Sequence, residues 1–104
     1  METLEFSLAS QPLPGAHPPV IRGVVGSGNL EVLIVATPSD AGCHVTVHTS
    51  ARGFRDIWQA VLEAFATRHP VGHVDVTIND MGATPAVVTL RLEQALAAFA
   101  EGSP

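Results

Sequence analysis

A single serine, Ser27, stands between two glycines in the stretch Val24-Val25-Gly26-Ser27-Gly28-Asn29-Leu30-Glu31-Val32-Leu33. Apolar runs lie on either side, so the pattern predicts a hairpin with a tight turn and Ser27 at its tip. Glycine and asparagine supply the positive φ angles that reverse a chain, and a plain turn is the ordinary product of such residues. The same residues suit a hydroxyl that a second enzyme modifies. Flanking glycines remove the side chains that would hold an active site away from the backbone. A hydrolase nucleophile fits less well, because a strand and not a helix follows the serine.

The other chemistry-bearing residues read as structural. The histidines are His17, His44, His48, His69 and His73. His44 and His48 share a strand face but sit roughly 13 Å apart at strand rise, too far for one metal ion. His69 and His73 straddle Pro70 and Gly72, which places them on different elements, and His17 falls in a proline-rich loop. Solvated surface histidines are the expectation. Cys43 occupies an inward position of an alternating strand, where a thiol acts as a small apolar residue. No basic residue is placed in sequence to activate it. Asp80 precedes a turn, where a carboxylate usually bonds backbone amides, with a general base as the alternative. Trp58 and Phe65 follow helical spacing, which favours core packing over a ligand pocket.

The elements that must position Ser27 follow from periodicity. Thr3 to Leu8 alternates Leu4, Phe6 and Leu8 with Glu5 and Ser7, a half-buried strand. Ala9 to Pro19 contains Pro12, Pro14, Gly15, Pro18 and Pro19, an extended and exposed loop. The hairpin arms run from Val20 to Gly26 and from Leu30 to Ala36. The second arm is apolar on both faces at Val32-Leu33-Ile34-Val35, as a central strand covered by helices on one side and a partner subunit on the other would be. Thr37 to Gly42 is a second turn. Cys43 to Thr49 alternates again.

A helix from about Gly53 to Thr67 follows, with Phe54, Ile57, Trp58, Val61, Leu62 and Phe65 on one continuous apolar face. Ser50 is a candidate cap, although Gly53 would then fall inside the first turn. His73 to Asn79 alternates with Val74, Val76 and Ile78 inward. Thr84-Pro85 pairs an N-cap hydroxyl with proline at the first helical position. The helix it starts runs through Val88, Leu92, Ala95, Leu96 and Phe99 to about Ala100. A strand over Val87 to Leu92 is the alternative, but the helical pattern continues unbroken into Ala95-Leu96-Ala97. The tail from Glu101 onward is expected to fray.

The order strand–strand–strand–strand–helix–strand–helix predicts an α+β two-layer sandwich. Its sheet is mixed and mostly antiparallel, with two amphipathic helices on one face. The early strands pair antiparallel, and the strand–helix–strand unit around Trp58 adds a parallel neighbour. A chain of 104 residues with 46% hydrophobic content fits one domain, 1–104, with a real core. The formal net charge is −5, and all five basic residues are arginines. No basic run exists, which argues against nucleic acid and against an anionic membrane as partner. Glu2 and Glu5 are unlike the start of a signal peptide, and no apolar run approaches membrane-spanning length. One cysteine makes no internal disulfide, consistent with the cytoplasm.

Six stretches together carry a resemblance: Met1-Glu2-Thr3-Leu4-Glu5-Phe6, Gly23 to Leu33, Thr49-Ser50, Arg55-Asp56-Ile57-Trp58-Gln59, Asp80-Met81-Gly82-Ala83-Thr84-Pro85 and Leu90-Arg91-Leu92-Glu93-Gln94. Through them the chain resembles the acyl-carrier (delta) subunits of malonate decarboxylase almost end to end. The resemblance implies that Ser27 bears 2'-(5''-phosphoribosyl)-3'-dephospho-CoA through a phosphodiester, attached by a dedicated prosthetic-group transferase. One departure is visible: the family has Asp where this chain has Asn29, so one negative charge beside the serine is gone.

The implied cycle exchanges acetate for malonate on the arm's thiol, at an acyl-carrier transferase subunit. Decarboxylase subunits then release CO₂ from the malonyl thioester. A thioester stabilises the charge that develops on the α-carbon, and a long arm raises the acyl group's local concentration at each site it reaches. The chain itself would be a non-catalytic carrier, with its acidic surface and proline-rich loop as docking features. It does not resemble the four-helix carrier of fatty acid synthesis, since no Asp-Ser-Leu precedes a helix. A citrate lyase-type carrier and an unmodified α+β interaction domain are the alternatives.

Overall fold

Alternating apolar residues and a single crossover helix build one sheet. The computed structural model describes residues 1–13, 17–37 and 41–102. Its elements are β1 (Glu2–Leu8), β2 (Val20–Gly23), β3 (Leu30–Ala36), β4 (Cys43–Thr49), α1 (Arg55–Arg68), β5 (Val74–Asp80) and α2 (Pro85–Ala100). The strand order is β1-β4-β5-β3-β2. β4 and β5 run parallel through the α1 crossover, and every other neighbouring pair is antiparallel. The expected mixed α+β sandwich is the observed one.

Register aligns the inward side chains into rows. Phe6, Val45, Val76, Ile34 and Val20 are successive cross-strand partners from one edge of the sheet to the other, and all are buried. Two helices cover this face. α1 buries Trp58, Leu62, Phe65 and Ala66. α2 buries Val88, Leu92, Ala95, Leu96, Ala98 and Phe99. α2 lies against β2 and β3, and α1 against β1. On the opposite face the corresponding row is Glu5, Thr46, Thr77, Leu33 and Ile21, polar toward β1 and apolar toward β2. No helix among the described residues is long and apolar enough to cross a membrane.

Several boundaries differ from expectation, each for a local reason. β2 stops at Gly23, so Val24 and Val25 leave the ladder and the hairpin closes through a loop over 24–29 instead of a tight turn. Gly23 has φ +93°, and a Cβ there would stand 2.1 Å from the Leu30 carbonyl oxygen. The backbone therefore bends away at this residue, which only glycine accommodates. β3 lies between β5 and β2, and β5 holds the central place. Leu33 and Val35, on the second face of β3, are half-buried.

α1 begins at Arg55 with Phe54 as an N-cap that makes no side-chain capping bond. Ser50 does not cap it, since the helix starts later and the cap position falls at Phe54; the Ser50 N–H donates to the Asp80 carbonyl. Gly53, with φ +83°, stays outside the helix. Phe54 and Ile57 are half-exposed, so the apolar face of α1 is not continuous core. Thr84 caps α2 as expected, accepting from the Val87 N–H at 3.3 Å. Val87 to Leu92 is helix, not strand.

The described part of the proline-rich loop is tied to its own chain. Ser10 Oγ donates to the carbonyls of Ala66 and His69 and accepts from the Val71 N–H. Pro12 bridges to Gly72. The rest of that loop at 14–16, the middle of the second turn at 38–40 and the tail at 103–104 lie outside the described residues.

Leu62 is fully buried between α1 and the sheet. Leu62→Ala is expected to lower the unfolding free energy by about 2–5 kcal/mol, through lost transfer energy and a residual cavity, measured by urea denaturation.

Candidate functional site

Ser27 sits in a backbone reversal held from outside. Asn29 N–H donates to the Gly26 carbonyl at 2.9 Å, which closes a β-turn with Ser27 and Gly28 at its centre. Gly28 has φ +72°, and a Cβ built there would meet nothing within 4 Å. The glycine is therefore required by conformation, while the space around it is open. Ser27 is exposed, and Val24 and Val25 beside it are 59% and 55% exposed.

The turn is fastened to the loop after β5. Gly28 N–H donates to the Met81 carbonyl at 2.8 Å, and Met81 N–H donates to the Asn29 carbonyl at 2.9 Å. These bonds continue the β3–β5 ladder past its last pair, Leu30 with Asp80. Asn29 Oδ1 accepts from the Leu30 N–H at 2.8 Å and from Arg91 Nε of α2 at 3.2 Å. Arg91 Nη1 in turn donates to Gln94 Oε1 at 2.8 Å. The absent charge at Asn29 thus bears on the contact with α2, because the carboxamide oxygen is taken up by Arg91 and its own strand.

Asp80 orders the neighbouring loop. Its buried carboxylate accepts from Thr49 Oγ1 at 2.9 Å, Gly82 N–H at 3.1 Å and Ala83 N–H at 2.9 Å. This is the turn-bonding role expected for it, and the backbone and hydroxyl donors hold both oxygens. Three loops, 24–29, 50–54 and 81–84, consequently gather at one end of the sheet, with both helix starts beside them.

The remaining candidates lie elsewhere. His44 stands between Glu5 at 3.8 Å and Asp75 at 3.6 Å on the outer sheet face. His48 Nδ1 is 3.2 Å from Thr3 Oγ1. His69 contacts Glu93 at 3.0 Å and packs on Phe65, while His17 packs on Phe99. All are partly buried, so the histidines are less solvated than expected. Cys43 is buried, and burial, then the Asp75 charge, push its thiol up to about 12. Phe65 is core, as expected; Trp58 is buried but also lines an apolar groove between the helix starts. Met81 and Arg91 were not legible as anchors of the serine turn. The one hint is that Arg91 interrupts the apolar face between Val88 and Leu92 in a chain without lysine.

A family model described as the malonate decarboxylase delta subunit matches residues 17–99. The malonate decarboxylase acyl carrier protein of Burkholderia cepacia is 57% identical over 100 residues, covering 96% of this chain and 92% of that protein. Its counterpart in Acinetobacter calcoaceticus is 54% identical over 99 residues, covering 95% and 97%. Among solved structures, a chain of a Pseudomonas malonate decarboxylase hetero-tetramer in complex with malonate superimposes with a TM-score of 0.80. It is 39% identical, and the match covers 95% of this chain and 99% of that one.

Two outcomes follow from the geometry. Asn29→Asp replaces a neutral acceptor for Arg91 with a charged one and is expected to raise stability by about 0.5 kcal/mol at neutral pH. The gain is lost as pH falls below about 4, and it vanishes in an Arg91→Ala background, which a double-mutant cycle by urea denaturation reads directly. Cys43, held as the neutral thiol, is expected to react with iodoacetamide at pH 8 on the order of a thousandfold more slowly in the folded chain than in the unfolded one.

Proposed function

The chain belongs to the malonate decarboxylase delta-subunit family, and from that premise we propose that it serves as the acyl carrier of the complex through a prosthetic arm on Ser27. The observation that carries this reading is the exposed serine at the tip of a turn whose backbone is fastened on both sides. A modifying enzyme needs the hydroxyl within reach and the backbone still. Gly28 leaves open space at the tip, and the bonds to Met81 and Arg91 keep the turn from collapsing onto the sheet.

The residues present fit a phosphodiester-linked group. In the attachment step the Ser27 Oγ–H gives up its proton while Oγ forms a bond to a donor's phosphorus. The bond from that phosphorus to the donor's leaving group breaks, and the leaving group departs with the electron pair. In this reading the transferase supplies the base for this step. The arm we assign is 2'-(5''-phosphoribosyl)-3'-dephospho-CoA, which when attached supplies a thiol for acetyl and malonyl thioesters. This chain contributes a rigid mount and an unobstructed swing, and we read it as non-catalytic.

The partners in this reading are an acyl-carrier transferase subunit, the decarboxylase subunits and the prosthetic-group transferase, with the cytoplasm as the place of work. The Pseudomonas chain it resembles is part of a hetero-tetramer, which supports a carrier embedded in a complex. The family match favours a malonate carrier over a citrate lyase-type carrier.

The test is the intact mass of chain co-produced with its native neighbours, against a Ser27→Ala control. The expected result is an added mass equal to the arm, absent from the control, and loss of malonate-dependent CO₂ release from the complex carrying Ser27→Ala. Because Ser27 is exposed, the control should unfold within about 0.5 kcal/mol of the parent. An unmodified mass from cells consuming malonate would leave an interaction domain with an ordinary turn.

A further inference from the structure

An apolar groove of about 280 Å³ opens at the end of the sheet that carries Ser27. Its walls include Phe54, Ile57 and Trp58 around the start of α1, Gly82 and Ala83 before α2, and Val88 of α2. Phe54 and Ile57 are large and apolar yet 46% and 47% exposed. Phe54 also holds the N-cap position, where a polar side chain would ordinarily satisfy a free N–H. A half-exposed phenylalanine there contributes little to the helix and much to the groove.

The groove adjoins the serine turn through a short backbone path. One peptide leads from Ser27 to Gly28, one hydrogen bond of 2.8 Å crosses to Met81, and one peptide leads on to Gly82 in the groove wall. The whole path spans roughly 15 Å at most. The arm assigned to Ser27 is longer than this, since a ribose phosphate, a nucleotide unit and a pantetheine chain separate its thiol from the serine. The charges at this end also suit a phosphate-bearing ligand. Arg52 is exposed and follows Ala51 of the groove wall, and the first turn of α2 carries no acidic residue. Of the carboxylates, Asp80 lines the groove but is occupied by Thr49, Gly82 and Ala83, Glu2 accepts from the Gly53 N–H, and Asp56 is exposed in the first turn of α1.

We propose that this groove is the resting site of the arm's pantetheine end and its acetyl thioester. The inference rests on the Ser27 reading. A short tether supplies an effective concentration in the millimolar range, so a groove of only millimolar affinity is about half filled. Its apolar walls receive methylene, gem-dimethyl and acetyl groups and shield the thioester from water. A malonyl group is received less well, because entry between the apolar walls strips water from its carboxylate. The acetyl form therefore rests in the groove, and the malonyl form stays outside, available to the decarboxylase.

The test compares apo, thiol, acetyl and malonyl forms of the chain by nitrogen–proton correlation NMR, after intact mass has established loading. In the acetyl form, the Trp58 indole N–H and the amides of Ile57, Gly82 and Ala83 should shift, and they should shift less in the malonyl form. Ile57→Glu, at a half-exposed helix position, should abolish these shifts and hydrolyse the acetyl thioester about twofold faster. Phe54→Ser provides a second variant with the same expected loss. Shifts confined to 26–29 in a chain of the correct added mass would overturn the groove and leave Ser27 as the attachment site. Groove shifts that arise only when decarboxylase subunits are added would assign it to a partner and overturn the proposal. A chain without added mass would overturn both readings together.

Discussion

The pair of backbone bonds between the serine turn and Met81 is the constraint on which the site depends. A loop over 24–29 with two glycines and two exposed valines would sample many shapes if left alone. Gly28 N–H to the Met81 carbonyl, and Met81 N–H to the Asn29 carbonyl, carry the β3–β5 ladder beyond its strands and remove that freedom. Met81 is itself held, because Asp80 before it collects Thr49, Gly82 and Ala83. The buried carboxylate at the end of the central strand thus positions, at one remove, the hydroxyl at the end of its neighbour.

This arrangement separates rigid and moving parts. A carrier must present its cargo to several active sites, and a flexible scaffold would spread the anchor point as well as the arm. Here the anchor turn is pinned to the sheet on one side and to α2 through Asn29 and Arg91 on the other. In the proposed reading all movement is left to the arm on Ser27, whose length sets which sites it reaches and at what effective concentration. In that reading the scaffold needs no base, metal or activated thiol of its own, and the buried Cys43, its thiol pushed up to about 12, suits packing.

Much of the sheet was legible because its signal is local. β3 runs over the residues its apolar stretch assigns and β4 over those alternation assigns, and the Thr84-Pro85 start of α2 follows from cap chemistry within two residues. The crossover between β4 and β5 was legible from the amphipathic run around Trp58. What was not legible depends on contacts between distant residues. Val24-Val25 looks like strand, yet the close approach of Gly23 to the Leu30 carbonyl ends β2 before it. Phe54 and Ile57 match helical periodicity, yet they are half-exposed and line a groove. Ser27 stood out as a modifiable hydroxyl from its glycines and the family resemblance, whereas its supports, Met81 and Arg91, are far along the chain and show only in three dimensions.

The central claim is that one hydroxyl in this chain bears the arm. Trypsin should release the peptide Gly23 to Arg52, since Arg22 and Arg52 bound it. Fragment-ion mass spectrometry of that peptide, from protein isolated out of cells growing on malonate, would locate the modification directly. The account predicts the full added mass on Ser27, with Thr37, Ser39, Thr46, Thr49 and Ser50 unmodified. An unmodified peptide, or the mass on any of those other hydroxyls, would contradict it.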